Sequence, residues 1–476
     1  MPQTIRTAIR SVTVAVLAMV AAVVLAVTST ITAAVSLAAV ALIVPGTGTP
    51  NPAVPPLGTN YMQNAVDYYI QPLDPACATV CIPEPVPYIA QFWPFPFPGW
   101  GGLTGAKLNV SVASGVQSLN TQIGNVDPSD DIVIFGYSQG ATVSGLVKRQ
   151  LADANGGVIP DRISFVLIGD PNRPNGGIFE RLANFGTVPI LDATFGRPTP
   201  TDTTVLPDVN TTDIALQYDG IVDFPANPLN LLADLNAIAG FIYIHGSYLS
   251  PRGTQPSTAL PYGYTIPELE AAMDCAQSPK NCQTYNDTLY ITIPAKTLPI
   301  MQPLLDIGAA TGTTALMKPI VDLISPVTRV LIETGYNRSN YGQPTPFTIF
   351  TPINPVTLTV DLATAVVQGI HDALGDLGVS VPGAATPAPA TTPTSTLAAA
   401  STSQPVTEPV SKPVQRKATA STHASAAAKP GRTTTGDDAK DTVGSQSPKP
   451  AKSGTGKSGR PAAASTSGHN EAKAAA

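Results

Sequence analysis

The sequence predicts an α/β fold, a mostly parallel central sheet flanked by helices, with a helical cap and a disordered C-terminal tail. Three observations lead there. Between residues 39 and 382, short apolar runs alternate with helix-period patterns, as βαβ units do. Near residue 137 a strand pattern passes into a helix pattern through a turn of very small residues. After Pro382 the composition changes abruptly to Ala, Thr, Ser, Pro, Lys and Gly.

The elements follow in order. Residues 1–36 read as a signal peptide or membrane anchor: Arg6 and Arg10 open it, Val12–Val27 is an unbroken run dominated by Ala, Val and Leu, and Ala33, Ala34 and Ser36 offer small residues for cleavage. The run is also near the roughly 20 residues that span a bilayer, so cleavage and retention are both open, and either implies export. A second apolar run, Leu37–Val44, is predicted to be the buried first strand, followed by the loop Pro45-Gly46-Thr47-Gly48-Thr49-Pro50. The stretch Phe92-Trp93-Pro94-Phe95-Pro96-Phe97-Pro98-Gly99-Trp100 holds both tryptophans, and its prolines forbid regular structure. It is either a rigid lipid-facing wall or a loop packed on its own core. Asp131–Phe135 is a predicted strand, Ala141–Leu151 a helix, Ile163–Ile168 and Asp213–Tyr218 further strands, and Leu229–Ala239 an amphipathic helix. Thr288–Ile293 reads as one more strand outside the regular alternation, and Leu298–Leu305 and Pro319–Leu331 as short helices of a cap. This α/β domain is placed at residues 39–382. Residues 383–476 hold too little apolar surface to offset the entropy of ordering, and are predicted to be disordered.

Charge and cysteine narrow the chemistry. The net charge of −6 divides into +6 from Thr386 onward and −12 before it. An acidic body excludes nucleic acid as partner, since phosphate binding needs a basic face. The four cysteines fall in two close pairs, Cys77-x3-Cys81 and Cys275-x6-Cys282, with no histidine beside either, which argues against zinc. In an exported chain they read as two local disulfides that pin surface loops. No metal or cofactor is called for.

The turn of small residues is Gly136-Tyr137-Ser138-Gln139-Gly140, a G-x-S-x-G sequence. Such a pentapeptide matters only in a strand-turn-helix context, where the tight backbone lifts a serine hydroxyl out of the sheet. That context is present, so Ser138 is the predicted nucleophile and the fold is of the α/β-hydrolase type. A serine needs a base, and the sequence has only four histidines. His423 and His469 fall in the tail, and His371 on a late surface helix. His245, after the Leu229–Ala239 helix, fits the order nucleophile, acid, histidine. The acid is sought after a strand between them: Asp219 first, Asp223 as the alternative, Asp170 third. The oxyanion hole is assigned to the backbone N–H of Gln139 and a donor at Thr47 in the first loop. That loop lacks a following Lys-Ser/Thr, so nucleotide binding is discounted.

These segments, with Gly169-Asp170-Pro171-Asn172-Arg173-Pro174-Asn175-Gly176-Gly177, Tyr218-Asp219-Gly220-Ile221-Val222-Asp223-Phe224-Pro225 and Ile244-His245-Gly246-Ser247-Tyr248, resemble the PE-PPE-domain family of envelope serine hydrolases, distant relatives of cutinases. The resemblance spans roughly residues 40–300. It implies esterase activity on acyl esters, a cell-envelope or membrane-surface location and, for some members, acyl transfer between trehalose glycolipids. A leader is expected where other members carry a PE or PPE module. The function expected is therefore cleavage of acyl esters through Ser138, Asp219 and His245, with glycolipid acyl transfer as one alternative and a non-catalytic envelope protein as another.

Overall fold

A computed structural model describes residues 39–54, 60–201, 209–251 and 260–379, and Met19. The predicted leader, Met19 apart, and the predicted tail lie outside the described residues.

Seven strands form one sheet: β1 (Ala39–Val44), β2 (Cys81–Pro85), β3 (Ile132–Tyr137), β4 (Ile163–Ile168), β5 (Thr211–Leu216), β6 (Cys282–Tyr285) and β7 (Thr288–Ile293), in the order β2-β1-β3-β4-β5-β7-β6. All neighbours are parallel except β6, which pairs antiparallel with β7 at the edge. The opposite edge strand, β2, contains Pro83 and Pro85, residues that a central strand would not tolerate. Thr288–Ile293 is thus not outside the alternation: it continues the parallel sheet beside β5.

Both faces of the sheet are buried, which is why its strands read as unbroken apolar runs. Ala41, Ile43, Val133, Phe135, Val166, Ile168, Ile214 and Ile291 point to one face, covered by α1 (Tyr61–Ala65), the Val66–Ile70 turn and Leu269 and Met273 of α5 (Ile266–Met273). Leu42, Val44, Ile134, Phe165 and Leu167 point to the other, covered by α2 (Leu108–Asn125) and α3 (Gln139–Ala154). In α2, Leu108, Ser111, Val112, Gly115 and Leu119 are buried, the spacing of one helix face.

A smaller cluster seats the late helices. Tyr218, Ala233, Leu298, Met301, Val321 and Ile332 join α4 (Leu231–Tyr243) to α6 (Gln302–Thr311) and α7 (Thr314–Glu333). The prolines suggested short broken helices here, yet α7 runs twenty residues through Pro319 and Pro326. A proline removes one backbone hydrogen bond, and here packing outweighs that loss. Gly369 of α8 (Pro355–Asp376) meets α7 so closely that a Cβ on it would lie 2.1 Å from the Leu323 carbonyl oxygen.

The strand order locates a crevice. From β1 the chain moves outward to β2 on one side and returns as β3 on the other, so the carboxyl ends of β1 and β3 flank a topological switch point, where open α/β sheets bind ligands.

Candidate active site

The loop after β1 carries Thr47 and the turn after β3 carries Ser138, so both sit at that switch point. Ser138 has φ 54° and ψ −118°, a conformation rarely open to a side-chain-bearing residue, held between β3 and the first turn of α3. The turn closes against β1: a Cβ on Gly140 would stand 2.2 Å from the Val44 carbonyl oxygen. Only glycine fits there.

Asp219 follows β5 and His245 follows α4. The strand ends at Leu216 and Tyr218 already has positive φ (68°), so Asp219 sits within the turn, not immediately off the strand. His245 Nε2 lies 2.8 Å from Ser138 Oγ, and its Nδ1 lies 2.8 Å from Asp219 Oδ2 and 3.1 Å from Oδ1. Asp219 is fully buried and His245 nearly so. The imidazole lies over the end of β4, where a Cβ on Gly169 (φ +58°) would come within 3.1 Å of His245 Cε1.

Neighbours fix both partners. The Ile221 N–H donates to Asp219 Oδ1 at 2.9 Å. The Tyr248 hydroxyl accepts the Leu216 N–H at 2.8 Å, close enough to Asp219 to feel its charge. Burial and the nearby Asp219 charge hold that phenol's pKa well above its usual value, so it stays protonated. The Tyr137 hydroxyl donates to the His245 carbonyl oxygen.

The other candidate acids face elsewhere. Asp223 accepts the Tyr218 N–H at 2.8 Å and pairs with Arg338 Nη1 at 2.5 Å; Arg338 also reaches Glu333 at 3.1 Å. Asp170 is fully buried, bound by the Thr199 hydroxyl and the Asn172 N–H, and desolvation lifts its pKa to about 6 despite those bonds. His371 lies on α8, half-buried, 3.4 Å from Asp372.

Thr47 and Gln139 are brought together by their side chains. Gln139 Nε2 donates to Thr47 Oγ1 at 3.1 Å. The aromatic stretch walls the same corner. The Gly48 N–H donates to the Ala90 carbonyl at 2.8 Å, tying the two loops. Trp100 stacks on Phe92, and Trp100 and Phe97 meet Phe241 of α4 at 6.2 and 5.8 Å between centroids. Phe241 lies 5.9 Å from His245. Phe95 and Phe97 remain exposed. The stretch packs on itself and also presents rings beside the site.

Both predicted disulfides are formed, Cys77–Cys81 and Cys275–Cys282. Among the described residues no group of acidic, histidine or cysteine side chains forms a metal-binding cluster, and no helix is long and apolar enough to cross a membrane. Tyr248, Phe241 and the Gln139 side chain escaped the sequence reading. Tyr248 sits three residues after His245, the one cue available; Phe241 follows the helix spacing of any α4 residue.

A family model described as the PE-PPE domain matches residues 79–337. Among curated proteins of Mycobacterium tuberculosis, esterase PE16 is 37% identical over 68% of this chain and 54% of its own length. SL1278 acyltransferase Chp1 is 29% identical, covering 60% of this chain and 63% of its own, and diacyltrehalose acyltransferase Chp2 is 26% identical, covering 56% and 67%. The chain spans about half the length of the first of these. With more than half of its residues matched by that model, the chain belongs to the PE-PPE domain family.

Proposed function

We propose that this chain is an exported serine hydrolase of carboxylic esters, with Ser138 as nucleophile, His245 as general base and Asp219 as the group that orients it. One observation carries the reading: Ser138 Oγ, His245 and Asp219 form a continuous hydrogen-bonded array with both links at 2.8 Å, at the sheet's switch point. The esterase among the relatives supports ester chemistry, and the two disulfides support an oxidising compartment.

Each step follows from a position. Asp219 accepts the Nδ1 proton, leaving Nε2 free to take the proton of Ser138 as its oxygen attacks the ester carbonyl. The N–H of Gln139, at the start of α3, and the Thr47 hydroxyl stabilise the tetrahedral oxyanion, aided by the helix N-terminus. His245 returns the proton to the leaving alcohol, and an acyl-enzyme remains on Ser138. Water then releases the acid. A second reading, in which a sugar hydroxyl takes the acyl group, is favoured by the two acyltransferase relatives; the substrate would then be a trehalose-type envelope glycolipid.

Labelling of the purified protein with a fluorophosphonate probe tests the reading. Wild type should label and Ser138→Ala should not; equal labelling of both, or of neither, rejects it. With a trehalose monoester as substrate, free fatty acid alone means hydrolysis and diacylated trehalose means transfer.

A further inference from the structure

Gln139 contributes more than a backbone amide. Its side chain is buried and joins four segments that are distant in sequence. The Ser111 hydroxyl of α2 donates to Gln139 Oε1 at 2.8 Å, and the same Ser111 oxygen accepts the Gln91 N–H at 3.0 Å. Gln139 Nε2 donates to the Gln91 carbonyl oxygen and to Thr47 Oγ1, both at 3.1 Å. The amide cannot be reversed: a flipped Oε1 would face the Gln91 carbonyl, acceptor against acceptor.

The proton count then constrains Thr47. A threonine hydroxyl has one proton and two lone pairs. Both protons of the Gln139 amide are donated, and one meets the Thr47 oxygen, so the Thr47 proton must point away from Gln139. We propose that the Gln139 carboxamide is a positioning residue that turns the Thr47 hydroxyl proton toward the developing oxyanion. The inference rests on the serine-hydrolase reading above. Because Gln91 borders the aromatic stretch, it also couples the register of that stretch to the oxyanion hole.

Gln139→Glu tests this. An ionised carboxylate only accepts, so the Thr47 hydroxyl would turn to donate to it and leave the oxyanion. A protonated carboxyl can still donate to Thr47. The expected result with a short nitrophenyl ester is a kcat loss of roughly 10²-fold at alkaline pH, the scale of one oxyanion donor, with KM little changed. The ratio of variant to wild-type kcat should recover as pH falls through the ionisation of the introduced carboxyl. Thr47→Val should lose a similar factor at all pH values, and the double variant should be no worse than Thr47→Val alone. A pH-independent ratio, or losses that multiply in the double variant, would overturn the proposal. If Gln139→Glu fails to fold by circular dichroism, Ser111→Ala serves instead: freeing the amide should lower kcat with Thr47 present and do nothing further in Thr47→Val. Loss in both backgrounds equally would overturn it. Wild type that neither labels with fluorophosphonate nor hydrolyses ester would instead reject the underlying reading.

Discussion

Replacing Asp219 by asparagine should do more harm than the loss of one charge suggests. Asp219 Oδ1 accepts the Ile221 N–H at 2.9 Å, so the asparagine oxygen is held at that corner and its NH₂ falls where Oδ2 was, 2.8 Å from His245 Nδ1. A donor there forces the proton onto Nε2, the nitrogen facing Ser138 at 2.8 Å. The imidazole is then in the wrong tautomer to accept the serine proton. The same change in another Ser-His-Asp array costs on the order of 10⁴-fold in kcat, and a similar loss is expected here. Asp223→Asn differs in kind. It breaks a buried ion pair: an asparagine oxygen can still accept the Tyr218 N–H, but the NH₂ then faces the Arg338 guanidinium, donor against donor, while Arg338 keeps Glu333. The cost should be about 3 kcal/mol or more of stability, that of breaking a buried ion pair from one side, with kcat within about threefold. Initial rates on nitrophenyl butyrate, with thermal melting of each variant, separate the two. Asp219→Asn retaining a tenth of wild-type kcat, or Asp223→Asn losing as much as Asp219→Asn without a change in melting, would refute the assignment.

Gly140→Ala should fail in melting or expression by about 3 kcal/mol or more, because its Cβ would stand 2.2 Å from the Val44 carbonyl. Gly124→Ala, with nothing within 4 Å in α2, should be neutral or stabilising; equal melting of the two would contradict the close fit at the turn. Glu180 is buried with Oε2 unpartnered among the described residues, and desolvation raises its pKa to about 7 from 4.5. A raised folded pKa means that its contribution is fully present below about 4.5 and is lost as pH rises through 7. Urea midpoints of Glu180→Gln and wild type should therefore agree near pH 4 and separate above pH 7 in favour of the variant, by about 1–2 kcal/mol. Parallel pH curves would disprove it. Phe241→Ala should lower kcat/KM for long-chain nitrophenyl esters about tenfold, the worth of partly burying an aromatic ring, while acetate esters change little. An equal loss on both would show that the ring only supports His245.

The sheet and the candidate pair Ser138 and His245 were legible in the sequence for one physical reason: each depends on local pattern. Apolar runs at Ile132–Tyr137, Ile163–Ile168 and Thr288–Ile293 read as strands because both sheet faces are buried. The tight turn needs glycine on both sides of its serine, and the scarcity of histidine left one base in the right chain order. Where a property depends on tertiary contact, local pattern misleads or is silent. Pro319 and Pro326 read as breaks, yet α7 continues because α8 and the Tyr218–Ile332 cluster hold it. Asp219 and Asp223 are separable only by what they meet: one faces an imidazole 26 positions on, the other a guanidinium 115 positions on.

The Gln139 network is the extreme case, since its bonds reach 28, 48 and 92 positions along the chain. No periodicity or spacing encodes such a bond. What the sequence does encode is its permissive half, a carboxamide directly after the serine, buried by the turn that the flanking glycines allow. A leucine there would keep the backbone N–H but leave the Gln91 carbonyl unpaired and the Thr47 rotor free. A free rotor must be ordered during the reaction, whereas one already oriented contributes its full electrostatic effect. On this argument the residue after the serine matters for its side chain as well as its amide, and the Gln139→Glu and Thr47→Val pair measures the side chain's share while the backbone N–H stays in place.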